Sequence, residues 1–293
     1  MKTPDPFLRV RVHDSDISPG LLGLCVGYEL GSWREKQLAD HAMEWLPEFA
    51  LTHRELEGIE SSNLVKLMRR AAANVYATEK FQKRGEFGEL LLHAAIRQVF
   101  GSLPAISKIY YKTARNDTVK GFDAVHVVPG DEGLELWLGE VKFYKDINKA
   151  ISDVVQELHD HTQRDYLKDE FLLITGKIDE SWPHSHELKS LLSPNTSLDD
   201  VFSKAVIPVL LTYNSKCVGE YEACSSEYCM QFEAEVRHYY DKFANQKLPN
   251  VTIELFLMPL SDKQSLITCL HQKLEAWKKY DLRRNRKGTL ESK

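Results

Sequence analysis

The stretch GFDAVHVVPGDEGLELWLGEVKFYKD, residues 121–146, decides the fold. It reads as two β-strands joined by a tight turn, each apolar near the turn and charged further out. Side chains along a strand alternate between its faces. Leu134, Leu136, Leu138, Glu140 and Lys142 therefore share one face of the second strand, and Asp123, Val125 and Val127 one face of the first. A two-residue turn at Asp131-Glu132, between Gly130 and Gly133, pairs Val127 with Leu136, Val125 with Leu138 and Asp123 with Glu140. Two carboxylates then stand with Cβ atoms about 4.5–5.5 Å apart on a face that otherwise continues the core. Lys142 follows about 6.5 Å along the strand.

Adjacent carboxylates repel unless a cation bridges them or one takes a proton. Hard oxygen ligands of this kind suit Mg2+ or Mn2+, with the backbone carbonyl of Val141 as a further donor. Lys142 could orient or help deprotonate a water attacking a phosphodiester, or stabilise the developing charge. The competing reading is that the strand ends have left the core and their charges face water. The helix GEFGELLLHAAIRQVFG, residues 85–101, offers a third carboxylate: Glu86 and Glu89, three apart, lie on one side of it. Glu86 also fits as an exposed acid complementing the helix dipole. The spacing leaves the choice between them open. Gln156, on the next helix, either points toward the site or faces solvent.

Outward from the hairpin, FLRVRV (7–12) alternates as a half-exposed strand, and PGLLGLCVGYELG as a strand or buried loop. REKQLADHAMEWLPEFALT reads as a helix broken near Pro47, and SSNLVKLMRRAAANVYA as a second, capped by Ser62 or Asn63. The 85–101 helix closes at Gly101. SKIYYKT (107–113) is rich in strand formers. After the hairpin, KDINKAISDVVQELHDHTQRDYL has a helical stripe of Ile147, Ile151, Val154, Val155 and Leu158. EFLLITGKI reads as a central strand, AVIPVLLTYN and VTIELFLMPL as two more, and SDKQSLITCLHQKLEAWKKY as a last helix with Ser261 as N-cap. The expectation is an α/β fold, a mixed sheet flanked by helices, with a largely helical N-terminal extension. The expected divisions are 1–75 for that extension, 76–260 for the core and 261–293 for a C-terminal helix and basic tail.

A helix with Glu, then a hairpin carrying Asp123 and Glu140-Val141-Lys142, resembles the PD-(D/E)xK nuclease superfamily. Phe122 stands where that pattern often has proline. The helix–strand–strand–strand–helix–strand order makes the loose motif more specific. More narrowly, RGEFGELLLHAAI, KGFDAVHV, LWLGEVKFYKD and INKAISDVV resemble the nuclease-subunit family of the Hachiman anti-phage systems, HamA. The resemblance implies a restriction-endonuclease-like fold and a Mg2+-dependent DNase. Its catalytic set would be Asp123, Glu140, Lys142 and Glu89, or Glu86 in place of Glu89. It further implies a complex with a helicase subunit, HamB, that restrains the nuclease until DNA is sensed, and abortive infection on release. Two alternatives are a catalytically silent binding module and a stand-alone restriction or repair nuclease.

With 43% hydrophobic and 28% charged residues the composition is that of a soluble globular protein. A net charge of −5 argues against bulk coating of nucleic acid. Local basic runs remain: Lys66, Arg69, Arg70, Lys80, Lys83 and Arg84 are candidate phosphate contacts, and Lys278–Lys287 forms a basic tail or a frayed end. The first residues show no apolar signal region and no run is long enough to span a bilayer, so a cytoplasmic location is expected. Five scattered cysteines fit free thiols. Cys217, Cys224 and Cys229 lack the tight pairing of a zinc site. His159, His161, His184 and His186 read as surface histidines. There is no P-loop and no serine-hydrolase elbow.

Overall fold

The computed structural model describes residues 3–75, 85–107, 121–130 and 133–287. Two strands open the chain, β1 (Arg9–Asp14) and β2 (Gly20–Cys25), followed by a small hairpin, β3 (Tyr28–Glu29) and β4 (Ser32–Trp33). Helices α1 (Glu35–Ala50), α2 (His53–Glu57), α3 (Leu64–Val75) and α4 (Glu86–Phe100) come next. Strands β5 (Leu103–Ser107), β6 (Ala124–Gly130) and β7 (Gly133–Phe143) lead to α5 (Ile147–His161), α6 (Arg164–Thr175), α7 (Ser185–Leu191) and α8 (Leu198–Phe202). Then β8 (Ala205–Asn214), α9 (Lys216–Glu220), α10 (Ser226–Ala244), β9 (Thr252–Leu260) and α11 (Lys263–Lys287) complete the described chain.

Seven strands form one mixed sheet in the order β1-β2-β9-β8-β7-β6-β5. β5, β6 and β7 run as an antiparallel meander, while β7-β8, β8-β9 and β9-β2 pair in parallel. Parallel strands need crossovers, so helices cover both faces and the central strands are apolar on both sides. One apolar layer joins Val125, Val127, Leu136 and Leu138 to α5, α6 and α10. The other joins Ala124, Trp137, Val141 and Phe143 to α1, α3, α4 and α11. The N-terminal residues thus supply two strands to the sheet as well as helices to the second layer.

The hairpin register is the one read from the apolar pattern: Val127 opposite Leu136, Val125 opposite Leu138, Gly130 opposite Gly133. The turn residues Asp131 and Glu132 lie outside the described residues. β8 coincides with AVIPVLLTYN, and Gly101 ends α4 with a left-handed φ of 60°.

Other expectations are corrected. EFLLITGKI is not a strand; Glu170–Thr175 belongs to α6, because Leu167, Glu170, Phe171 and Ile174 turn inward while Leu172 and Leu173 face solvent. That is helical spacing concealed in a short run. Pro47 does not break α1, which continues to Ala50. Trp45, Leu46, Phe49 and Ala50 are all buried around it, and their packing outweighs the lost backbone bond. α11 is capped by Asp262, which accepts the Ser265 N–H at 2.6 Å, rather than by Ser261. The strand expected at 107–113 begins earlier, at Leu103, and residues 108–113 lie outside the described set.

In the second layer a buried polar chain ties α1 to α4 and β6. Arg97 grips Glu48 through two bonds of 2.8 and 2.9 Å, and His93 reaches the same carboxylate at 3.1 Å. His93 meets His126 at 3.2 Å, and His126 meets Ser102 at 2.9 Å. Burial alone would raise the Glu48 carboxyl, but His93 and Arg97 outweigh it and hold it down to about 2. Burial pushes His126 well below the usual histidine range.

Candidate active site

The charged ends of β6 and β7 are not exposed. Asp123, Glu140 and Lys142 are 7%, 1% and 8% accessible, so the reading in which these charges face water fails. The paired ladder ends at Ala124 opposite Gly139, and just before β6 the Asp123 N–H donates to the Gly139 carbonyl at 2.7 Å. Asp123 Oδ2 accepts the Val141 N–H at 2.9 Å, turning the carboxylate toward β7. Glu140 and Lys142 therefore stand on the face that α5 covers, and Asp123 is held beside them through Val141.

α5 supplies what the sequence reading missed. His161 Nδ1 contacts Glu140 Oε1, and Lys142 Nζ donates to Glu157 Oε2. Glu157 and His161 are four apart and so share a helix face. His161, read as a surface residue, is only 12% accessible in its side chain. Its ring stacks on Tyr166 at 4.5 Å and meets Phe122 edge-on at 5.3 Å. The signal was present: the buried stripe Ile147, Ile151, Val154, Leu158 continues at His161. His159 behaves as expected, reaching the Lys247 carbonyl at an exposed position.

Burial pushes Glu140 up to about 7, and the charges of Asp123 and Glu157 act in the same direction against the His161 hydrogen bond. Burial opposes charge on His161, yet its bond to Glu140 and the surrounding carboxylates raise it overall.

The remaining candidates are placed as follows. α4 packs on the opposite face of the sheet through Gly88, where a Cβ would lie 2.8 Å from Phe143 Cβ. Glu86 and Glu89 are buried on it, at 9% and 7% accessibility. Among the described residues no three His, Cys, Asp or Glu side chains gather as a ready-made metal cluster. The same holds for Cys217, Cys224 and Cys229, and all five cysteines are free. Gln156 faces solvent and donates to Asp160 at 3.0 Å. On α3, Lys66 is exposed and Arg70 pairs with Glu55 at 2.7 Å. Arg69 is on the same helix, and Lys80, Lys83 and Arg84 lie outside the described residues.

The donor chemistry still fits a hard divalent cation. Two buried carboxylates lie near one another, Glu140 driven up by burial and further by the charge of Asp123, and Asp123 accepts the Val141 N–H. A model of the HamA family matches residues 3–274. The chain belongs to the HamA family. It is similar to anti-bacteriophage protein A of Escherichia coli (strain K12), with 26% identity over 258 residues. That match covers 84% of this chain and 46% of the relative, so the chain spans a little under half of the relative's length. The HamA match takes in α4, the hairpin with Asp123, Glu140 and Lys142, and α5 with Glu157 and His161. Among the described residues no helix is long and apolar enough to cross a membrane.

Proposed function

We propose that this HamA-family chain acts in anti-phage defence as a divalent-metal-dependent DNA endonuclease. One observation carries the chemistry: Asp123, Glu140 and Lys142 are all buried, and Asp123 accepts the N–H of Val141, the residue between Glu140 and Lys142. The similarity to anti-bacteriophage protein A supports the biological role. Asp123 and Glu140 would hold Mg2+ or Mn2+, with the Val141 carbonyl as a further donor. Bound there, the ion would supply Lewis-acid polarisation of the scissile phosphate and the attacking water.

The chain's own groups do the rest. The Val141 N–H fixes the Asp123 carboxylate. His161 fixes Glu140. The Lys142 ammonium lies within reach of charge developing on a phosphodiester. Exposed Lys66 and its neighbours on α3 would add salt-sensitive phosphate contacts. The partner proposed from the family resemblance is a helicase subunit, HamB, restraining the nuclease until DNA is sensed.

The test is plasmid degradation in Mg2+ by purified chain, with and without EDTA, alongside Glu140→Ala and Lys142→Ala. Loss of cleavage by at least 100-fold in both variants, with unchanged circular dichroism, is expected. Wild-type cleavage by either variant refutes the assignment. EDTA-insensitive DNA binding without cleavage would point instead to a binding module. Co-purification of a helicase with tagged chain from its host tests the partner.

A further inference from the structure

Lys142 is two residues from Glu140 on one strand face, about 6.5 Å away, and its flexible stem can reach the Asp123–Glu140 pair. A buried carboxylate pair is the strongest attractor for an ammonium nearby. An ion pair there would place the lysine where a divalent cation must bind. The structure shows a different pairing: the Lys142 ammonium is drawn to Glu157 on α5. One helical turn along, His161 holds Glu140 from the same helix face.

We infer that Glu157 is a positioning residue that holds the Lys142 ammonium off the Asp123–Glu140 pair, so that the lysine does not compete there with a divalent cation. The inference rests on the metal-site reading above. Three features make the device workable. The spacing matches, because four residues of helix rise about 6 Å and two residues of strand about 6.5 Å. α5 is fixed by its Asp146 N-cap, which accepts the Asn148 and Lys149 N–H groups at 2.9 and 3.2 Å. Ile151, Val154 and Leu158, all buried, seat α5 against the sheet. Glu157 itself is 39% accessible in its side chain, so truncating it leaves no buried void.

The test is Mn2+ binding by isothermal calorimetry on the full chain without DNA, which separates metal affinity from turnover. In Glu157→Ala the lysine is released onto the carboxylates, and Mn2+ affinity is expected to fall 10- to 100-fold. Adding Lys142→Met to that variant is expected to return affinity to within about threefold of Lys142→Met alone. Circular dichroism verifies folding, and Glu157→Gln carries the same test if Glu157→Ala does not fold. Wild-type Mn2+ affinity in Glu157→Ala overturns the inference and leaves the metal-site reading intact. Equally weak binding in the single and double variants also overturns it, because Glu157 would then act directly on the ion or on α5. No Mn2+ binding by wild type removes both readings together.

Discussion

At Glu140 three influences meet in one side chain. Burial raises its carboxyl, the neighbouring Asp123 raises it further, and His161 returns part of that cost through a hydrogen bond. Replacing His161 leaves Glu140 buried against Asp123 without its partner, which costs more than losing an exposed contact. His161→Ala is expected to lower Mg2+-dependent cleavage at least tenfold, and His161→Asn, which keeps a donor, to retain more of it; steady-state plasmid nicking measures the difference. Cleavage by His161→Ala equal to wild type would remove His161 from the site.

The element scale is governed by how helices are held to the sheet. α5 presents Glu157 and His161 in register with Lys142 and Glu140 only while its first turn is fixed. Asp146→Ala removes the cap and is expected to cost about 1 kcal/mol, read by urea unfolding. Across the sheet, Gly88 and Gly139 let α4 approach β7 closely: a Cβ on Gly139 would stand 2.8 Å from Leu92 Cδ2. Alanine normally favours a helix over glycine by about 1 kcal/mol. Here Gly88→Ala is expected to destabilise, because Phe143 Cβ blocks the methyl group. A rise in melting temperature would show that α4 can move away freely. The Glu48 chain gives the pH dependence of this layer. Its carboxyl is held below the ordinary value, so the stabilisation is complete above about pH 4.5 and is lost as pH falls toward 2. Glu48→Gln is expected to cost about 3 kcal/mol at pH 7. The gap to wild type should shrink steadily below pH 4.5 in chemical unfolding; a pH-independent gap would mean the ionised form is not what stabilises α1.

For the whole molecule, the mixed sheet places an antiparallel meander beside parallel crossover strands, with a helical layer on each face. The proposed cation links β6 and β7 through side chains buried beneath α5. Mg2+ or Mn2+ should therefore raise the melting temperature in a concentration-dependent way that EDTA reverses. Asp123→Asn should abolish that response. A response unchanged in Asp123→Asn would place the cation elsewhere.

Periodicity by itself determined the hairpin and its register. Alternation along a strand is rigid, and the apolar halves of β6 and β7 match in only one alignment, which holds from Gly130–Gly133 to Ala124–Gly139. Strong continuous runs such as AVIPVLLTYN, and the glycine stop at Gly101, were equally legible because local chemistry decides them. Residues 170–178 were not: a short apolar run suits strand and helix alike, and packing of Phe171 and Ile174 chose the helix. Pro47 was misread because a backbone rule was applied without the core that overrides it. Tertiary structure alone decided which side chains serve the carboxylates. It put α5 over the charged face and α4 on the other, setting His161 against Glu140 and Glu157 against Lys142 and leaving Gln156 in solvent. Whether a charge is partnered depends on elements folded over it from elsewhere in the chain, and the burial that makes the pairing matter exists only once those layers close.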